Sequence, residues 1–300
     1  MNFDYSICKL CGNSGNIIKY HLRMANVIVC KHCGFHYTDY IDEEYRAAIS
    51  NTEATLSKKE IDFIEQKMQS NATRFNNHIN KVATYIQPNK TLLDVGFGGA
   101  LFLREMIKRN YDCYGIELDQ RWMSYVKNKY QLPNLYNLPI QDNFWQKEHA
   151  NFFDAIVLWD VIEHVNYPTQ IVQHCANLLK KDGYIFIDTP CRDAFYHKFG
   201  ELISKLSFGK MNTLLHAMYS NHPYGHKQIL SKKDMHLIMQ KAGLKIIEIK
   251  LFHELSFPIS FYLKRILFTD VLVKIFTPPA SWFFKIFQIK NKMLVVAIKE

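Results

Sequence analysis

Apolar and polar residues fall into short blocks along most of this chain, and the spacing within each block assigns it to a strand or a helix. Residues 91–95 (TLLDV), 112–117 (DCYGIE), 153–159 (FDAIVLW), 183–188 (GYIFID), 244–251 and 292–299 (KMLVVAIK) are short runs rich in branched apolar side chains, and they predict strands. A weaker run at 134–138 predicts one more. Between them, residues 100–109, 120–130, 168–179 and 232–242 repeat their apolar positions at helical steps. The helix over 168–179 is expected to stop at Lys180, Lys181 and Gly183, and that over 232–242 at Gly243. The run 153–159 is apolar from Ala155 onward, as suits the centre of a parallel sheet. Alternating strands and helices predict a doubly wound α/β sheet.

Three stretches depart from that alternation. Residues 1–45 form a small unit, with strands expected at 17–20 and 27–29. Residues 42–87 read as helical, with Ile61, Ile64, Met68, Phe75, Ile79, Val82 and Tyr85 mostly three or four apart and Pro88 closing the run. This is expected to be a linker and lid over 46–88. Two insertions break the sheet pattern. Residues 190–231 are rich in His, Tyr and Phe and follow the strand at 183–188, where a loop would cover the ligand crevice. Residues 253–291 interleave Phe, Trp, Ile and Leu with Lys264, Arg265, Lys274, Lys285 and Lys290. That mixture suits a helix lying at a membrane interface or covering the sheet.

The 300 residues allow one large domain or two modest ones, and 48% hydrophobic residues argue against wholesale disorder. A formal charge of +9 fits an anionic substrate, an anionic membrane surface or nucleic acid, and chooses among none of them. The N-terminus lacks the basic region and apolar core of a secretory signal, and no run is long and apolar enough to span a membrane. Seven cysteines, an odd number, then suggest a reducing compartment, hence a cytoplasmic protein, with contact to the inner face of the membrane through 253–291 as an option.

Four of those cysteines are paired in sequence. Cys8-x-x-Cys11 and Cys30-x-x-Cys33 are separated by 18 residues, within the spacing of a four-thiolate zinc site. Gly12 and Gly34 follow the pairs and suit the tight knuckle that turns amides toward sulfur. Some 40 residues bury too little to fold alone, so a structural Zn²⁺ is the expected staple. Four thiolates leave no open position, so the metal is not catalytic. His21, His32 and His36 lie nearby and are expected at the surface.

The chemistry centres on 91–103, TLLDVGFGGALFL. A strand, a glycine turn and a helix let backbone N–H groups approach a nucleotide-like ligand. The G-x-x-x-x-G-K-[ST] pattern of a phosphate loop is missing at this turn. Leu101 stands where a dinucleotide fingerprint wants its third glycine. What remains is Asp94-x-Gly96-x-Gly98, with Glu117 ending the second strand 19 residues after Gly98. A carboxylate at that position can accept from both hydroxyls of a ribose. Leu118 beside it suits packing on an adenine face, and Asp160 ends the fourth strand beside the crevice.

LLDVGFGGALFL, GIELD and FDAIVLWDVIEHV together resemble the motifs of class I S-adenosylmethionine-dependent methyltransferases, and LLKKDGYIFIDTP is similar to their fifth-strand segment. The CKLCG…CKHCG unit ahead of such a domain resembles a bacterial subgroup with a zinc ribbon, often associated with methylation of sugars, cell-surface glycans or other small molecules. The resemblance implies a seven-stranded Rossmann-like sheet of order 3-2-1-4-5-7-6 with the last strand antiparallel. It implies a zinc ribbon over 1–45 and a methyltransferase domain over 89–300 carrying both insertions. Asp94, Gly96 and Gly98 match the turn around the donor's methionine moiety, with Ala100 in place of a third glycine. Glu117 matches the ribose-binding acid, Gln141 the adenine-contacting turn, and Asp160 the residue near the methionine end.

Methyl transfer to a protonated nucleophile often needs a base. His226, in HPYGHKQILS, and His164, after the fourth strand, are the candidates, with His222, Tyr219 and Tyr224 in the same loop as His226. The acceptor is expected to be a small molecule, a sugar or a cell-surface glycan, lipid-linked forms included. An RNA methyltransferase gripping RNA with the ribbon is the alternative enzyme. Asp160-Val161-Ile162-Glu163 in place of an Asn/Asp-Pro-Pro-aromatic run, and the absence of a dense Lys/Arg cluster, count against nucleic acid. A non-catalytic donor-binding module is the third reading. The sequence sets no oligomeric state.

Overall fold

The computed structural model of the protein describes residues 4–41, 56–220, 225–255, 258–264, 267 and 269–300. Residues 42–55 of the expected helical linker, together with His222, Tyr224, Phe257, Arg265, Ile266 and Phe268, lie outside the described residues.

The chain opens with a three-stranded antiparallel sheet, β1 (Asn16–His21), β2 (Asn26–Cys30) and β3 (His36–Thr38). The pairing of β2 with β3 adds a strand that the apolar pattern did not announce. Helix α1 (Lys58–Ala83) starts at a capping box. The Glu60 amide donates to Ser57 Oγ, and the Ser57 amide donates back to Glu60.

A seven-stranded sheet then builds from β4 (Thr91–Val95), β5 (Asp112–Ile116), β6 (Leu135–Tyr136), β7 (Phe153–Trp159), β8 (Leu179–Pro190), β9 (Leu244–Phe252) and β10 (Lys292–Lys299). Their spatial order is β6-β5-β4-β7-β8-β10-β9. Counted within this sheet, that is 3-2-1-4-5-7-6, as the resemblance implies. Strand β10 runs antiparallel to both neighbours, and the remaining pairings are parallel. The helices are α2 (Leu101–Lys108), α3 (Gln120–Tyr130), α4 (Asn143–Glu148), α5 (Pro168–Leu178), α6 (Phe195–Leu206), α7 (Thr213–His216), α8 (Lys232–Lys241), α9 (Ile259–Lys264) and α10 (Asp270–Phe287).

Period-two alternation sorts each strand's residues onto two faces. Leu92, Ala155, Val157, Phe186, Leu294 and Val296 pack with α1, α2 and α3. Leu93, Ile156, Leu158, Ile185, Ile187 and Val295 pack with α4, α5 and α8. The ribbon joins this second layer, because Leu10, Ile28, Phe35 and Tyr37 belong to the same apolar cluster. The ribbon therefore buries its apolar face against the large domain.

The helix expected over 168–179 ends at Leu178, but the strand expected from Gly183 begins earlier than that. Leu179 already has extended backbone, and β8 begins there, so both lysines are strand residues. Lys180 Nζ lies 2.8 Å from Asp154 on β7, which holds the strand start in place. The expectation of a surface His36 is also wrong: its ring is buried between the ribbon and α6, next to His197. Short contacts also define Gly115 on β5, where an added Cβ would lie 2.7 Å from Phe97 and 3.0 Å from Leu103 and Leu135. Gly115→Ala is expected to lower unfolding stability by about 1–3 kcal/mol, the usual cost of overpacking, as read from urea denaturation.

Candidate active site

The carboxyl ends of the parallel strands converge on one edge of the sheet, and the predicted donor residues gather there. The turn after β4 is shaped by Gly96 (φ 77°) and Gly98 (φ 51°), both in the left-handed region that favours glycine. At Gly96 a Cβ would lie 2.7 Å from Val161, which follows β7, so the turn is packed from below. At Gly98 a Cβ would meet nothing within 4 Å. The space above that residue is open, as the close approach of a ligand requires. Ala100 begins α2 with φ 55° and no side-chain cap, so the first amides of the helix are left to other acceptors.

Glu117 sits just past β5, and its carboxylate accepts from the Gly98 amide and the Asp119 amide, both at 2.8 Å. The residues spaced 19 apart in sequence are thus bonded in space. Burial pushes the Glu117 carboxyl up to about 7, against the opposing pull of its amide donors. Asp94 is buried under the turn, and burial followed by the Glu117 charge raises it well above the carboxylate range. Leu118 is half-buried beside Glu117. Gln141 stands exposed on the turn leading to α4. Asn137, which the sequence reading passed over, donates to the Glu117 carbonyl at 2.6 Å and ties the β6 end to that position.

Asp160 ends β7 with φ 54°, an uncommon conformation for a non-glycine residue. Its amide donates to Asp188 Oδ1 at 2.7 Å, and its carboxylate meets Lys292 Nζ at 2.5 Å. Lys292 is the first residue of β10 and only 2% exposed. It also contacts Asp188 at 2.7 Å and Glu254 at 3.0 Å. His78 reaches from α1 to Asp188 Oδ2 at 3.0 Å, and its ring packs tilted against that of Trp159 with centroids 4.2 Å apart. Neither Asp188, Lys292, Glu254 nor His78 was singled out from the sequence. The available signal was an acid at the end of the apolar run GYIFID and a lysine opening KMLVVAIK.

The two candidate bases are brought together. The rings of His164 and His226 lie 4.9 Å apart. Nδ1–H of His164 donates to the Gly225 carbonyl at 3.1 Å, and Nδ1–H of His226 to the Met218 carbonyl at 3.0 Å. A carbonyl only accepts, so each neutral ring keeps its lone pair on Nε2. Burial, then the neighbouring His226, holds His164 down to about 3. Glu163 is fully buried, and burial followed by the Asp160 charge keeps its carboxyl well above the usual range. Thr189 donates to its Oε2 at 3.0 Å, and Oε1 faces the two histidines. His164 lies in a turn, with α5 starting only at Pro168. The strap after the first insertion fixes that turn: the Lys227 amide donates to the Glu163 carbonyl, and Gln228 Nε2 to the Ile162 and Val165 carbonyls at 2.8 Å each.

In the ribbon, Sγ of Cys8 lies 3.7 Å from that of Cys33, and Sγ of Cys11 lies 3.6 Å from that of Cys30. All four sulfurs fall within 4.8 Å of one another. A tetrahedral zinc at about 2.3 Å from each sulfur sets neighbouring sulfurs about 3.8 Å apart, so the tetrad fits that ion. The Gly12 and Gly34 amides close the two knuckles onto the Cys8 and Cys30 carbonyls.

Removing Lys292 leaves Asp188 buried without its cation. Lys292→Met is expected to cost about 3–5 kcal/mol of unfolding stability, and Lys292→Met with Asp188→Asn to recover part of it, both measured by denaturant titration.

The sequence model of a family described as "Methyltransferase domain" matches residues 66–249. The ubiquinone biosynthesis O-methyltransferase of Acinetobacter baumannii (strain AYE) is 30% identical over 105 residues, which cover 33% of this chain and 44% of that protein. The protein of the same description from Acinetobacter baylyi is 28% identical over 160 residues, 52% of this chain and 64% of its own length. The matches thus span less than two thirds of these curated relatives. The crystal structure of a SAM dependent methyltransferase from Archaeoglobus fulgidus superimposes with a TM-score of 0.52 at 12% identity, covering 80% of this chain and 99% of that one. That likeness concerns the fold. With the family match over more than half its length, the strand order and the glycine turn, this chain belongs to the class I S-adenosylmethionine-dependent methyltransferases.

Proposed function

We propose that this chain transfers a methyl group from S-adenosylmethionine to a small-molecule or glycan acceptor whose nucleophile carries a proton, with lipid-linked acceptors as the preferred class. The observation that carries this reading is the His164–His226 pair, two imidazoles held with Nε2 as the basic atom beside the crevice end of β7.

When bound, the donor supplies an electrophilic methyl on a sulfonium. Gly96, Gly98 and the uncapped start of α2 receive its methionine end, with Asp160 at the adjoining strand end. Asp94 supports the turn from below. Glu117 accepts the ribose hydroxyls, Leu118 packs on the adenine, and Gln141 borders that face. His226 takes the proton of the acceptor, and His164 orients it within a wall closed by Glu163. The ribbon holds Zn²⁺ through Cys8, Cys11, Cys30 and Cys33 as a structural ion.

The lipid-linked class is supported by the surface around the crevice edge. Helix α6 follows the carboxyl end of β8, and α10 precedes antiparallel β10, so both lie at the edge where the donor residues gather. Tyr196 of α6 stacks on Phe284 of α10 at 5.8 Å. The two helices and the turn after α6 expose Phe199, Leu206, Phe208, Ile275, Trp282 and Phe287, with Lys205, Lys210, Lys274 and Lys285 in the same segments. Exposed apolar side chains interspersed in sequence with lysines suit an anionic membrane surface. Among the described residues no helix is long and apolar enough to cross a membrane.

Glu117 gives a sign for pH. Between the ordinary carboxylate value and about 7 the folded chain binds the extra proton, so folding stability falls as pH rises through that window. The ionised form accepts both ribose hydroxyls, so donor affinity rises across the same window. Calorimetry with S-adenosylmethionine is expected to show tighter binding at pH 8 than at pH 6. Glu117→Gln should bind about 10–100-fold more weakly and lose that dependence; unchanged binding would refute the site. His226→Ala should keep donor affinity while donor turnover, screened against nucleotide sugars and lipid-linked glycans, falls roughly 10²–10⁴-fold. Donor binding without turnover on any acceptor would support a non-catalytic module. For the membrane surface, flotation with anionic liposomes should carry the wild type upward and leave Trp282→Asp with Phe208→Asp behind. A wild type that stays at the bottom removes the lipid-linked class.

A further inference from the structure

The ribbon and the first insertion meet at a cluster that the methyl-transfer site does not use. His36, on β3, faces His197 and Glu201, which stand four residues apart on one side of α6. One ligand atom from each of the three lies within 4.8 Å of the others. His36 and His197 are 3% and 1% exposed, and Nδ1 of each is a buried nitrogen without a hydrogen-bond partner. Glu201 Oε2 is 3.7 Å from His197 Nδ1, too long for a hydrogen bond and close to the spacing of two ligands on one ion. An orphaned imidazole nitrogen of His197 facing a carboxylate oxygen, with a second buried imidazole bearing an orphaned nitrogen in the same group, is an arrangement that a cation resolves, because a buried polar atom otherwise keeps its desolvation cost.

The surroundings are those of a supported ligand set. His197 Nε2 is hydrogen-bonded to Tyr219 Oη at 2.9 Å, which turns Nδ1 toward Glu201. Glu201 Oε1 accepts from Lys19 Nζ and Tyr20 Oη, each at 2.8 Å. Such outer contacts fix ring and carboxylate orientation around a metal. The neighbouring cations are already engaged: Lys19 by Glu201 Oε1, and Arg192 by Asp234 and the Gly34 carbonyl. The similar group of His78, Asp188 and Glu254 differs, since the Lys292 ammonium already bonds both of its carboxylates.

We propose that His36, His197 and Glu201 form a second metal site, for a divalent transition cation of the zinc class, that staples the ribbon to the insertion helix. Two imidazoles and a carboxylate supply three of four tetrahedral positions, and water takes the fourth. Ligand atoms around such an ion stand about 3.4 Å apart at metal–ligand distances near 2.05 Å, so the set closes by side-chain rotation. Glu201 is partly exposed and gives the ion its way in. The two metals then have different tasks. The thiolate ion folds the ribbon, and the histidine ion holds it against α6, whose outer face rims the crevice.

The test is cobalt(II) titration of the full-length metal-free protein, followed by absorption, with zinc content of the native protein by mass spectrometry. Two equivalents per chain are expected, one with a thiolate-to-cobalt charge-transfer band and one without. His197→Gln and His36→Gln should each lower the count from two to one and keep the thiolate band, which also reports an intact ribbon. A wild type that binds one equivalent, with the thiolate band, overturns the proposal. So does a second equivalent that persists in both variants. One equivalent lacking the thiolate band would support the junction site and count against the thiolate one.

Discussion

The crevice edge of this protein depends on one buried ammonium. Asp160 follows β7, Asp188 lies near the carboxyl end of β8, Glu254 follows β9, and all three carboxylates reach Lys292. Asp94 and Glu117 add two more buried acids along the same edge. Buried carboxylates are costly unless paired. A parallel strand delivers its last residue to this edge, whereas β10, being antiparallel, delivers its first. The reversed strand thus brings a cation to the end of the sheet where the acids accumulate. His78 extends the network to α1, and the same helix lays Met68 over Gly99 of the glycine turn, where an added Cβ would lie 2.9 Å from its sulfur. Helix α1, the glycine turn and the strand ends are therefore one mechanical unit.

A second unit lies on the opposite face. The insertion returns through the strap at 225–230, and β3 of the ribbon meets that strap directly. Tyr37 bridges to Gln228, and the Thr38 amide donates to the Lys227 carbonyl at 2.7 Å. The same strap carries His226 and pins the turn bearing Glu163 and His164. The ribbon thus buttresses the candidate base pair, and its outer strand edge is occupied by its own chain. This gives the N-terminal unit a positional task beyond its cysteine tetrad.

The sheet was legible because its signals are local. Runs such as FDAIVLW and KMLVVAIK match β7 and β10 end to end, and the three- and four-residue steps at 120–130 match α3. The glycine turn was legible for the same reason: its residues are neighbours in sequence, and only Glu117 stands apart, at a spacing set by one strand–helix–strand unit. Strand β3 and helix α4 were not legible. HYT and NFWQKE carry too few residues for a period to show, and each is stabilised by what it packs on. The start of β8 was set too late because Lys180 and Lys181 directly follow a helix end and look like its stop, whereas the contact of Lys180 with Asp154 belongs to the strand.

By itself the sequence determined the α/β class, the strand order through its family resemblance, the cysteine tetrad and the glycine turn, since each rests on short-range period or spacing. Tertiary structure alone decided which charged groups meet. Lys292 is 104 residues from Asp188, His78 is 110 from it, and His197 lies 161 residues beyond His36. Nothing in local pattern distinguishes a lysine opening a strand at the surface from one buried among three carboxylates. Burial makes the difference, because it turns a solvated charge into one that must find its partner, and the partner is chosen by the folding of the sheet.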